Sequence, residues 1–139
     1  MTKHRFLSLL VTAAIGLTAA GTVVTTSIGS AYGKSQVQQV TVNGHCTGRS
    51  QSVLQANRED TGKLSVDFSV DMVLHRAGVV WNVNVTDNGT AVWRGTKKTL
   101  VDGSFDTNLL FAPRPGVNLI QAKATNPATG ETCTASASL

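Results

Sequence analysis

The side chains able to do chemistry are few in this chain, and they are spread thinly. The cysteines are Cys46 and Cys133, and the histidines are His4, His45 and His75. A zinc site gathers about four ligands, and no paired-histidine metal spacing occurs here. There is no Gly-x-Ser-x-Gly elbow, no phosphate-binding loop and no Cys-x-x-Cys. The expectation is a protein that is not an enzyme and has no catalytic residue, metal or cofactor. His45, in a turn beside Cys46, and His75, at a strand end, read as structural or solvated side chains.

Three charged groupings remain as candidates. Asp67 and Asp71 share one face of a strand, about 13 Å apart at ~3.3 Å per residue, which is wider than a glycosidase carboxylate pair. With Ser65 and Ser69 they read as a solvated sheet face. Arg94, Lys97 and Lys98 form a dense basic run. They are candidate contacts for an anionic ligand such as a wall polymer or an acidic glycan. The same charges would also keep an edge strand from pairing with another sheet. Arg114 stands between Pro113 and Pro115, and the Pro113–Gly116 loop could present it to an acidic protease pocket. Glu59-Asp60 reads as a solubilising loop tip. Asn84-Val85-Thr86 and Asn88-Gly89-Thr90 match the glycosylation triplet, but strand and turn chemistry accounts for both.

The elements that must position these residues begin with a leader. Met-Thr-Lys-His-Arg is basic, Phe6 to Ala20 is apolar or small apart from Ser8, Thr12 and Thr18, and no charge falls between Arg5 and Lys34. This pattern reads as a secretory signal peptide over 1–31, cut after Ala31. Its strongly apolar part is shorter than the ~20 residues that span a bilayer. No cysteine lies near the cut, so no lipid anchor is expected, and no membrane association after cleavage.

Residues 32–139 are then a single domain. Removing Lys3 and Arg5 from 12 basic residues leaves 10 against 8 acidic ones, a net charge of +2. That mild balance gives no argument for nucleic acid. Two cysteines in an exported chain pair by default. A Cys46–Cys133 disulfide would close nearly the whole domain and stabilise it by about 4–5 kcal/mol in the chain-entropy model.

The clearest element is Lys63–His75. Its even positions from Leu64 to Leu74 are all apolar; its odd ones are polar apart from Val73. Such alternation is a strand with one wet and one dry face. Val37–Val42 and a weaker Ser50–Ala56 precede it, with Lys34–Gln39 as a loose arm. Val79–Arg94 folds back around Asp87-Asn88-Gly89. A two-residue Asn-Gly turn would put Asn84 beside Trp93; a three-residue loop would pair Val85 with Ala91 and Val83 with Trp93, keep the two faces unmixed and make both tryptophans core residues, and it is the expected register. Ser104–Phe111, Val117–Thr125 and Glu131–Leu139 follow. A loop over Pro127–Gly130 would set Ala124 opposite Cys133 and Ala122 opposite Ala135. About seven to eight short strands without a helical period read as an all-β antiparallel sandwich.

The mature chain also resembles the small secreted immunoglobulin-like proteins of actinomycetes, a group without an assigned function. The resemblance rests on the leader, Cys46, Val66–Asp71, Gly78-Val79-Val80-Trp81, Gly103-Ser104-Phe105 and the ending Ala124–Cys133 with its Asn126-Pro127-Ala128-Thr129-Gly130 turn. It implies a disulfide-closed immunoglobulin-like β-sandwich from a Gram-positive secretome and transfers no catalytic residue. The expected function is a secreted, extracellular or cell-wall-associated binding domain. Its partner would be a protein or a cell-envelope polymer. The alternative is a secreted inhibitor or toxin-like effector acting through Pro113–Gly116.

Overall fold

Period-two alternation runs through almost every element of the folded chain. The computed structural model describes residues 38–139, so the leader over 1–31 and most of the expected N-terminal arm lie outside the described residues. Among the described residues nine strands follow in order: β1 (Gln39–Asn43), β2 (His45–Cys46), β3 (Gln51–Arg58), β4 (Leu64–Asp71), β5 (Val80–Asp87), β6 (Thr90–Lys98), β7 (Ser104–Phe111), β8 (Leu119–Thr125) and β9 (Thr132–Ser138). They build two antiparallel sheets, a four-stranded β1-β3-β4-β7 and a five-stranded β2-β9-β8-β5-β6. The protein is an all-β sandwich closed by one disulfide.

The dry face of β4 buries Leu64, Val66, Phe68 and Val70 almost completely. Leu54 from β3 and Phe105 from β7 continue that inner face. The facing sheet contributes Trp81, Val83, Val85 and Ile120, with Ala122, Ala124, Ala135 and Ala137 as small neighbours. Trp81 meets Phe105 across the sandwich with ring centroids 6.0 Å apart. Full burial of one such large side chain is worth about 1.5–3 kcal/mol. The β8–β9 register is the expected one, Ala124 opposite Cys133 and Ala122 opposite Ala135.

Asn43-Gly44 is not a simple turn. The chain leaves the four-stranded sheet after β1 and joins the other as β2, so His45 and Cys46 sit in a strand. A Cβ on Gly44 would fall 2.3 Å from Ser52 Oγ and 2.6 Å from the Thr134 carbonyl. Only glycine lets the chain cross between the sheets at that depth. The Cys46–Cys133 disulfide then joins directly paired residues of β2 and β9.

The β5–β6 hairpin corrects the expected register. Asp87 pairs with Thr90, so the turn is the two residues Asn88-Gly89, both at positive φ (49° and 77°). That is the twist a type I′ turn requires. A bulge then restores the parity: Thr86 faces Ala91, but Val85 faces Trp93 and Val83 faces Gly95. Trp93 therefore stays on the inner side but lies at the sheet edge, half-buried, while Trp81 is fully buried. The two tryptophans are not equivalent core residues.

Strand β4 also stops earlier than expected, at Asp71. Met72 N–H turns to the Gly103 carbonyl, and His75 N–H closes onto the Met72 carbonyl with His75 itself at φ 43°. Val73 and Leu74 are consequently exposed, as are Leu100 and Val101 in the β6–β7 loop.

Candidate binding face

Antiparallel register lines up residues that lie far apart in the chain. On the outer side of the five-stranded sheet, His45 pairs with Thr134, Thr134 with Lys123, Lys123 with Asn84, and Asn84 with Arg94. These five residues form one row across β2, β9, β8, β5 and β6. Strands in a sheet stand about 4.8 Å apart, so side chains on alternate strands repeat every ~10 Å. His45, Lys123 and Arg94 occupy those alternate strands.

The flanking positions are uncharged and hydrogen-bonding. Gln121 and Ser136 lie on one side of the row, Asn82, Thr96 and Thr125 on the other. Arg94 Nε donates to Asn84 Oδ1 at 3.0 Å, which holds the guanidinium along the row. Two shallow depressions meet at Asn84 and Lys123. The larger, about 550 Å³, reaches Gly44, His45 and Ser136; the smaller, about 290 Å³, reaches Arg94 and Gly95.

The basic run named from sequence is divided by strand alternation. Arg94 and Lys98 face outward, and Lys98 marks a corner of the face. Lys97 pairs with Trp81 on the inner side of the edge strand, with its Nζ 5.7 Å from the Trp93 ring centroid. The Trp93 indole lies across Gly95, where a Cβ would come within 2.8 Å of the ring. A cation over an indole contributes about 0.5–1 kcal/mol at such a site. An inward-pointing lysine also keeps an edge strand from templating another sheet. Lys123 and His45, which belong to the row, are remote from Arg94 in sequence and become its neighbours only through β2, β8 and β9.

Arg114 is exposed at the tip of the β7–β8 connection, and its backbone is firmly held. Its N–H donates to Asp87 Oδ2 at 3.4 Å, and its carbonyl accepts from Asn118 Nδ2 at 3.0 Å. Asn118 Nδ2 also lies 3.2 and 3.3 Å from the Asp87 carboxylate oxygens, and Arg58 Nη2 donates to Asn118 Oδ1 at 2.9 Å. Asp87 and Asn118 are both fully buried. Asn88 adds two contacts to the same connection, donating to the Val117 carbonyl and accepting from Leu119 N–H. The stiffness of the Pro113–Gly116 loop thus rests on Asp87, Asn88 and Asn118 as well as on its prolines. The Asp-Asn-Gly turn signal hid that role of Asp87, whose partner Asn118 lies on a different connection.

The outer side of the four-stranded sheet differs in charge. Asp67, Asp71 and Asp106 are its charged strand residues. Burial, and then the charge of Asp106, holds the Asp67 carboxyl above the ordinary carboxylate range. Among the described residues, Asp67 Oδ1 and Asn57 Oδ1 are shielded from solvent and have no hydrogen-bond partner. At the far end of the sandwich, the N–H of Ser104, then its hydroxyl, and more weakly the charge of His75, hold the Asp102 carboxyl below its usual range. His75 lies against the Asp102 carbonyl and His45 is on the basic face, so the two belong to separate surfaces.

Among the described residues, no group of three or more His, Cys, Asp or Glu is placed to hold a metal ion, and no helix is long and apolar enough to cross a membrane. No family model, curated protein or solved structure matches this chain.

Proposed function

We propose that this is an exported, non-catalytic binding domain that takes an extended anionic polymer of the cell envelope on the outer face of its five-stranded sheet. The row His45–Thr134–Lys123–Asn84–Arg94 carries this proposal. Its two cations, Lys123 and Arg94, stand on alternate strands with the His45 imidazole at the next alternate position, and amide and hydroxyl groups fill the space between them. Phosphate or carboxylate groups repeated along a flexible chain suit such a ladder, through charge first and hydrogen bonds second. Export is supported by the leader-like 1–31 segment and by the disulfide. The resemblance to secreted immunoglobulin-like proteins of actinomycetes favours a wall polymer over other polyanions.

The test is retention of the mature chain on purified Gram-positive cell walls at low and high salt. The protein should be retained at low salt and released at high salt, and Arg94→Gln with Lys123→Gln should sharply reduce retention. Undiminished retention of that double variant would rule out this face.

A second activity is supported by the Asp87–Asn118 brace beneath Arg114. A rigid loop with an exposed arginine is the form a protease inhibitor presents. Inhibition of trypsin that disappears in Arg114→Ala would support it, and no inhibition by the wild type would discard it.

A further inference from the structure

The charged strand residues on the two outer faces are sorted by sign. Among the described residues, those on the four-stranded sheet are Asp67, Asp71 and Asp106, and those on the five-stranded sheet are Arg94, Lys98 and Lys123, with His45 at the end of the row. Around them the acidic face is mostly neutral and polar, with Val53 and the exposed Leu110 as its apolar members. Thr41, Gln55, Asp67 and Asn108 form one row across β1, β3, β4 and β7, and Ser69 and Asp106 are paired in the next.

We infer that the acidic outer face of one molecule docks on the basic outer face of a second copy of this chain. A cation of the facing copy set over this face gains the Coulomb attraction of its three carboxylates. It also offsets the repulsion between Asp67 and Asp106, which now raises the proton affinity of Asp67. Edge-to-edge pairing of the five-stranded sheet is blocked by other means: β2 is only two residues long, and β6 carries a bulge and the inward Lys97.

The two faces lie on opposite sides of one sandwich, so the contact is heterologous. Each pairing leaves one acidic and one basic face free, and the association is an open-ended stack rather than a closed dimer. This goes beyond the polymer-binding proposal, and its test contains no polymer, so either can fail alone. A polyanion on the basic face would compete with the stack.

The experiment is sedimentation velocity of the mature chain over a concentration series at about 10 mM and about 0.5 M salt, where the screening length falls from ~30 Å to a few Å. Mass should rise with concentration past that of a dimer at low salt and return to the monomer at high salt. Asp67→Lys with Asp106→Lys makes both faces basic; Arg94→Glu with Lys123→Glu makes both acidic. Each variant alone should stay monomeric, and an equimolar mixture should associate again. Should either double variant not fold, Asp71→Lys and Lys98→Glu, both at exposed positions, carry the same test. A wild type that stays monomeric at low salt would overturn the inference. So would association that persists in either single-signed variant, or folded variants that fail to associate on mixing.

Discussion

The two outer faces of the sandwich have the same construction and opposite charge. Each is the wet half of an alternating sheet, and each lies over the same interior of Leu54, Phe68, Trp81, Phe105 and Ile120. One presents Asp67, Asp71 and Asp106; the other presents Arg94, Lys98 and Lys123. The fold does not require this sorting, because a solvated strand position accepts either sign at little cost. The interior specifies the architecture, and the difference between the faces is where function is to be sought.

Substitutions that separate the shared interior from the two faces should fall in a definite order. Trp81→Ala should cost about 3–5 kcal/mol in chemical denaturation, as a large side chain removed from a closed core does. Trp93→Ala, at the half-buried edge, should cost about 1 kcal/mol, since roughly half of its burial term is at stake. Equal losses at the two tryptophans would contradict the bulged register of β5 and β6.

Asp87→Ala should be intermediate, at about 1–3 kcal/mol, because it leaves Asn118 Nδ2 and the Arg114 N–H without their buried acceptor. Amide exchange should accelerate over residues 112–118 more than in β4. Uniform acceleration would show that Asp87 supports the whole domain rather than one loop.

The faces themselves should respond least in stability. Arg94→Gln with Lys123→Gln should change the unfolding free energy by no more than about 0.5 kcal/mol per site. Asp67→Asn should stabilise slightly at neutral pH. The folded-state pKa of Asp67 is raised above its ordinary value of 3.8, so the native state holds that proton more tightly than the unfolded chain. Stability contributed by this group therefore falls as pH rises through that window and recovers on acidification. The advantage of Asp67→Asn should shrink as pH drops through the raised pKa toward 3.8. An advantage independent of pH between neutrality and that value would show that the Asp67 charge is not what the face resists.

Much of this molecule is legible in the chain because it depends on local alternation. The buried face of β4, the β8–β9 register and the pairing of Cys46 with Cys133 follow from spacing, from turn residues and from the export context. What escapes depends on partners far off in sequence. β2 is too short to show a period, and Gly44 reads as half of an Asn-Gly turn until Ser52 and Thr134 are seen crowding it. The β6 bulge leaves no mark on a hydrophobic pattern, so Trp93 reads as core. Arg94, Lys97 and Lys98 look like one patch because they are adjacent, yet parity sends Lys97 inward. Lys123 and His45 join Arg94 only once five strands are in register.

Polymer binding by the basic row is the main proposal to be tested. The most direct measurement is the affinity of the mature chain for purified wall teichoic acid across a salt series, for the wild type, the Arg94→Gln with Lys123→Gln variant, and an Asp67→Asn with Asp106→Asn variant. Each cation that meets the polymer releases counterions, so the slope of log affinity against log salt counts contacts. The wild type should bind with a negative slope. The basic-face variant should bind more weakly with a shallower slope, and the acidic-face variant should keep the wild-type slope. Equal slopes for the wild type and the basic-face variant, or no binding by the wild type at low salt, would contradict the account.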